Sequence, residues 1–198
     1  FFRTIHSLAL SLSDISPEQV MQPSDYRELS ESMGVHLVTT KSVNFDDDLP
    51  DMMKASDPIL GLINLARLRK VPLRKQYDMS NTHLTWNEIN YVDSCLGRYK
   101  QVRHKFDFTD MLENFVIEGS NFCPNFELCF VDEAQDLSPM QWDIAHLLDE
   151  RSKRMYVAGD DDQAIYRWAG ADVDAFINLD GGSDTLSQSY RIPYSVHK

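Results

Sequence analysis

Two clusters of acidic residues carry the sharpest chemical signal in this 198-residue sequence. In the first, Phe130-Val131-Asp132-Glu133-Ala134-Gln135-Asp136, two adjacent carboxylates follow a short apolar run. Such a run reads as a buried strand of a parallel sheet, and open α/β sheets bind ligands beyond the carboxyl ends of their strands. Neighbouring side chains diverge, so the two acids divide the work. One suits Mg²⁺, directly or through water, and the other suits polarising a water beside a phosphate. Taken alone, an Asp-Glu pair after a strand is more often a solvated loop. The second cluster is Tyr156-Val157-Ala158-Gly159-Asp160-Asp161-Asp162-Gln163. Three consecutive acids are costly unless cations or hydrogen-bond donors receive them. Arg167-Trp168 follow, with Tyr166 before them. Aromatics beside an arginine offer a platform on which each stacked base contributes ~1–3 kcal/mol without sequence preference. In isolation, Tyr166 and Trp168 equally suit the core face of a helix.

The elements that must position these residues alternate strand and helix from Phe106 onward. Asp107-Phe108 leads a helix through Met111, Leu112 and Phe115, with Gly119 as its expected stop. Phe126–Val131 is predicted as a strand covered on both faces, Ser138 and Gln141 form a capping box for a helix over Trp142, Ala145, Leu147 and Leu148, and Met155–Ala158 is a second strand. Thr185–Ser187 is a weaker third. Strand, helix, strand predicts a right-handed parallel crossover. The first two thirds read as helices and linkers. Ser16-Pro17 and Ser24-Asp25 are expected helix starts and Gly34 a stop, followed by an acidic loop at Asp46–Asp48. Asp57-Pro58 opens a helix with Ile59, Leu62, Ile63 and Ala66 at helical spacing, closing on Arg67, Arg69 and Lys70 before Pro72. Thr85 and Glu88 open another, with Ile89, Val92, Leu96 and Tyr99 on one face.

Composition narrows the class. Apolar residues make up 42% and charged residues 25%, an ordinary globular balance that excludes disorder and disulfide scaffolds, and no apolar run reaches the ~20 residues of a bilayer crossing. Cys95, Cys123 and Cys129 are odd in number and form no CxxC pair, which points to a reducing compartment and to no structural zinc. A signal peptide is not expected. The net charge of −12 is segregated: residues 67–105 carry nine Lys or Arg against three acids, and the rest is net −18. The basic segment is either a phosphate-facing surface or solvated helix faces.

The residues Val131–Asp136, Gly159–Ala171 and Gln188-Ser189-Tyr190-Arg191 resemble motifs II, III and IV of superfamily 1A DNA helicases of the UvrD, Rep and PcrA type. Thr4-Ile5-His6-Ser7 is similar to the family's Thr-Phe-His-Ser element, and Asp107–Leu112 to its Asp-Phe-x-Asp-Leu-Leu element. The resemblance implies a RecA-like α/β core with a parallel sheet and an inserted, mainly helical subdomain 1B. It divides the chain into 1–12 (core), 13–105 (insertion) and 106–198 (core). It further implies ATP and Mg²⁺ as cofactors, and single-stranded and duplex DNA as partners. Asp132 would hold Mg²⁺ and Glu133 would activate water; Gln163 would sense the γ-phosphate, and Arg191 would act as an arginine finger. Trp168 would stack on a base, with Tyr166, Thr4, His6 and Asp107 along the same track, and the basic helices would face phosphates.

Two departures stand out. Ala169 occupies the position where the family usually has Arg, and no G-x-x-x-x-G-K-[ST] occurs. The resemblance therefore places the phosphate loop before Phe1 and a second RecA-like domain after Lys198, and it predicts a chain inactive alone, acting with the DNA in the cytoplasm. Two other readings stand beside it. Gly159-Asp160-Asp161 also suits the palm of a two-metal nucleotidyl transferase, which requires an antiparallel hairpin. A non-catalytic, helicase-like module that binds DNA or docks a partner is the third.

Overall fold

Local capping chemistry sets most helix boundaries. The computed structural model of the chain describes residues 3–38 and 57–186. Thr4 accepts from the Ser7 N–H and opens α1 (Ile5–Leu12). The Asp57 carboxylate accepts from the N–H groups of Ile59 and Leu60 and opens α3 (Pro58–Leu68), where Pro58 sits at a position whose N–H has no helical partner to lose. Reciprocal side-chain and backbone bonds start α5 (Trp86–Arg103) at Thr85 and Glu88, α6 (Phe108–Phe122) at Asp107 and Asp110, and α7 (Pro139–Glu150) at Ser138 and Gln141.

Other boundaries correct the sequence reading. α2 (Pro23–Met33) starts just before Ser24, because the Asp25 carboxylate reaches back to the Gln22 N–H; Ser16 opens only a short 3₁₀ turn. Gly34 ends α2 at φ 66°, as expected. Pro72 separates α3 from a further helix, α4 (Leu73–Met79), since a proline that stops one helix also presets entry to the next. Gly119 does not stop α6. A Cβ there would lie 2.9 Å from Leu147 Cδ2, so the glycine answers to the close approach of α6 and α7.

β1 (Cys129–Val131) and β2 (Met155–Val157) pair in parallel, with Cys129 opposite Met155, Phe130 opposite Tyr156 and Val131 opposite Val157. α7 makes the connection that parallel strands require. The chain is thus mixed α/β, mostly helical, with a small parallel sheet. Among the described residues the two acidic strands pair in parallel, not in the antiparallel hairpin of a polymerase palm, which removes the support for the transferase reading. Pairing upstream of β1 is reduced to an isolated bridge between Phe126 and Ser152, and Thr185 and Leu186 lie in no strand; Ser187 falls outside the described residues. One face of the sheet packs on Leu112, Phe115, Ile144 and Leu148 of α6 and α7. The other is open among the described residues: Phe130, 69% exposed, stacks on the exposed Tyr156 at 5.3 Å. The expected cover on both faces is therefore absent there.

A second apolar cluster gathers Leu29 of α2, Ile59 and Ile63 of α3, and Ile89, Val92 and Leu96 of α5. Each such buried side chain contributes ~1.5–3 kcal/mol. α3 serves both clusters, since its last residue, Leu68, packs with the α6–α7 group. Among the described residues no helix is long and apolar enough to cross a membrane.

Candidate functional site

The parallel register brings the two acidic clusters together. Beyond the paired strands, Ala158 N–H donates to Val131 C=O at 2.8 Å and Ala134 N–H donates to Ala158 C=O at 3.0 Å, so the loops after β1 and β2 leave the sheet side by side. Asp132 and Glu133 are both exposed. Glu133 takes left-handed backbone angles, φ 51° and ψ 39°, uncommon for a residue with a Cβ and of the kind found where a turn is held for function. The turn separates the two carboxylates: Asp132 Oδ1 accepts from the Glu133 N–H at 3.0 Å, and Glu133 Oε2 accepts from Gln135 Nε2 at 2.7 Å.

In the second loop, Asp160 caps a 3₁₀ turn by accepting from the Asp162 N–H and also accepts from Gln163 Nε2. The run of acids is thus received partly by donors. Gly159 has no room for a side chain, since a Cβ would lie 2.6 Å from Gln135 Oε1 and 2.8 Å from Phe176 Cζ of α8 (Val173–Ile177). Asp172 N–H donates to Leu137 C=O, and Trp142 Nε1 donates to Asp172 C=O, tying the far end of this loop to the first.

Trp168 stands on a 3₁₀ turn, Arg167–Ala169, and is 67% exposed, with the Tyr166 ring 6.5 Å away. The indole is a ledge rather than core. Arg69 at the end of α3 supports it by donating to the Arg167 carbonyl at 2.9 Å. Gly170, at φ 105°, lets the turn lie against Leu65, which a Cβ would meet at 2.9 Å.

Thr4 and His6 lie at the start of α1, beside α6. The Thr4 hydroxyl caps the helix, and His6 meets Phe108 edge-on at 6.0 Å. Burial pushes the His6 imidazole down to about 4, so at neutral pH it offers a neutral donor and acceptor. Asp107 corrects an expectation. It is 1% exposed; its carboxylate accepts from Arg67 and Lys100 and from the Asp110 N–H, so it is engaged inside the fold and not open to a nucleic-acid track. Burial alone would raise its carboxyl, but Arg67 and Lys100 outweigh that and hold it below the usual value. Asp110 is pushed the other way, by burial and then by Asp107. Arg191 lies outside the described residues.

Much of the basic segment is paired with acids. Arg67, Lys70, Arg74, Lys100, Arg103 and Lys105 pair with Asp107, Asp143, Asp78, Asp110, Glu28 and Asp25, among others. The pairs of Arg67, Lys100 and Lys105 are largely covered within the fold, while those of Lys70, Arg74 and Arg103 lie at the surface. Gln135 and Arg69 are the site residues that sequence reasoning missed. Both act through contacts distant in the chain, and the only local hint was a polar residue set between the acids at 133 and 136.

The family model for the UvrD/REP helicase N-terminal domain matches residues 2–182. The chain belongs to that family. It is 41% identical over 76 residues to the ATP-dependent DNA helicase PcrA of Leuconostoc citreum, covering 36% of this chain and 10% of that protein. It is 35% identical over 140 residues to PcrA of Staphylococcus aureus (65% and 19%), and 27% identical over 145 residues to a probable DNA helicase II homolog of Mycoplasma genitalium (68% and 18%). The chain spans less than a fifth of the length of these relatives. As a UvrD/REP domain it has a donor set that fits Mg²⁺. Asp132 offers an exposed carboxylate, and no group of three or more His, Cys, Asp or Glu gathers as a metal cage among the described residues. Mg²⁺ typically takes one or two carboxylates and leaves its remaining positions to phosphate and water. Within the same loop, Asp136 has one buried carboxylate oxygen without a hydrogen-bond partner among the described residues, and burial, then Glu133, pushes its carboxyl up.

Proposed function

We propose that this chain is part of an ATP-dependent DNA helicase that translocates on single-stranded DNA and unwinds duplex, with residues 1–12 and 106–198 in the RecA-like core and 13–105 as the inserted subdomain. One observation carries the reading: the parallel register that sets Asp132 and Glu133 beside Gly159 and Asp160 at one edge of the sheet. The names of the relatives, ATP-dependent DNA helicases, agree with it.

In this reading Asp132 holds Mg²⁺ and Glu133 accepts a proton from the water that attacks the γ-phosphate. Bound Mg²⁺ would draw charge from the phosphate oxygens. Gln163, now turned toward Asp160, reports the γ-phosphate to the turn that bears Trp168, and Arg191 balances the transition-state charge. The Trp168 ledge with Tyr166 receives a base, and Thr4 and His6 line the same side through neutral hydrogen-bonding groups. Asp107 serves by fixing the α3, α5 and α6 junction. Without a G-x-x-x-x-G-K-[ST] sequence, the chain by itself hydrolyses ATP negligibly.

The test is Glu133→Gln in the full-length protein. ATP binding is retained while turnover falls about 10²–10⁴-fold, the usual contribution of a positioned base. Undiminished turnover removes Glu133 from this role.

A further inference from the structure

We propose that Gln135 is a positioning residue that holds the base and the γ-phosphate-sensing turn in one register. The proposal rests on the functional reading above and adds a residue to it. Gln135 is 1% exposed, and both ends of its amide are committed. Oε1 accepts from the Asp160 N–H at 3.0 Å, and Nε2 donates to Glu133 Oε2 at 2.7 Å. Because a backbone N–H can only donate, the first bond fixes the orientation of the amide and aims its donor at the carboxylate.

A buried glutamine that merely satisfies the backbone has no need of an exposed carboxylate as its second partner. Here one amide spans the two loops. Glu133 sits on a left-handed turn, and the Gln135 amide, bonded to its Oε2, sets the carboxylate's direction. On the other side, Asp160 accepts from Gln163 Nε2, which continues the connection from Glu133 through Gln135 and Asp160 to Gln163. Gly159 makes the span possible, since a side chain there would displace the Gln135 oxygen. A carboxamide also directs Glu133 without neutralising it, so the carboxylate remains able to take a proton. A lysine in the same place would hold it as an ion pair.

Two variants of the full-length protein separate the halves of this role. Gln135→Leu removes both bonds; Gln135→Glu keeps an acceptor for the Asp160 N–H and replaces the donor facing Glu133. Both are expected to lower kcat for DNA-stimulated ATP hydrolysis about ten- to hundredfold, the usual worth of a hydrogen bond to a charged group, with KM for ATP within about twofold and a cooperative unfolding transition retained. In a Glu133→Gln background, Gln135→Glu, which keeps the acceptor for the Asp160 N–H, adds no further loss, because its effect passes through the absent carboxylate. A kcat within twofold of wild type in either folded variant overturns the proposal, and so does a multiplicative loss in the double variant. Wild-type turnover in Glu133→Gln alone would instead overturn the reading of the site on which it rests.

Discussion

Acidic side chains crowd two regions of this molecule, and the two handle them in opposite ways. At the junction of α3, α5 and α6, Asp107, Asp110 and Glu113 converge on the Arg67 guanidinium, and Lys100 completes the group. At the sheet edge, the Glu133 carboxylate is met by the Gln135 amide, and that of Asp160 by the Gln163 amide and the Asp162 N–H, instead. Full charges meet full charges where the fold is joined, and dipoles meet charges where a ligand is expected. An ion pair is satisfied in itself. An amide directs a carboxylate yet leaves its charge for whatever arrives.

The comparison predicts large stability effects at the junction and small ones at the edge. Arg67→Ala removes the cation shared by three carboxylates, one of them buried, leaving Lys100 to face two of them, and is expected to cost about 3–5 kcal/mol in chemical unfolding of the full-length protein. A loss under 1 kcal/mol would mean that the acids find other partners. His6 supplies a pH axis for the same side of the fold. Its folded value of about 4 lies below the ordinary 6.5, so the unfolded chain takes up the proton first. Stability is therefore intact above pH 6.5 and falls between 6.5 and 4, by up to about 3 kcal/mol. His6→Asn flattens that part of the stability profile, and an unchanged slope would contradict the burial of the ring. At the edge, Trp168→Ala leaves unfolding nearly unaltered and weakens single-stranded DNA binding by ~1–3 kcal/mol, read by titration. The smallest effect belongs to exposed pairs within the lobe. Asp78→Ala removes an i,i+4 partner of Arg74 and costs only about 0.3–0.5 kcal/mol.

How much of this was legible in the sequence depended on how far each determinant reaches along the chain. The caps at Asp57, Thr85, Asp107 and Ser138 act within three residues and were read correctly, as was the parallel order of the two strands around α7. Gly119 was misread because one residue type serves two purposes: ending a helix through positive φ, or admitting a neighbour such as Leu147. The basic segment stayed open between two readings for a related reason. Arg67 lies 40 residues from Asp107, and Arg103 lies 75 from Glu28, so local charge counting records the cations and omits the acids that receive them. At the site, the Asp132-Glu133 and Gly159–Gln163 runs announced themselves by composition. Gln135 did not, because its inward turn and its hold on the Asp160 N–H exist only once the strands pair.

Gly170 fixes a mechanical relation. With φ at 105° and Leu65 already where a methyl group would go, the backbone beneath the indole rests directly on α3, and Arg69 grips the same turn from one residue past the end of that helix. A tilt of α3 would carry the turn beneath Trp168 with it.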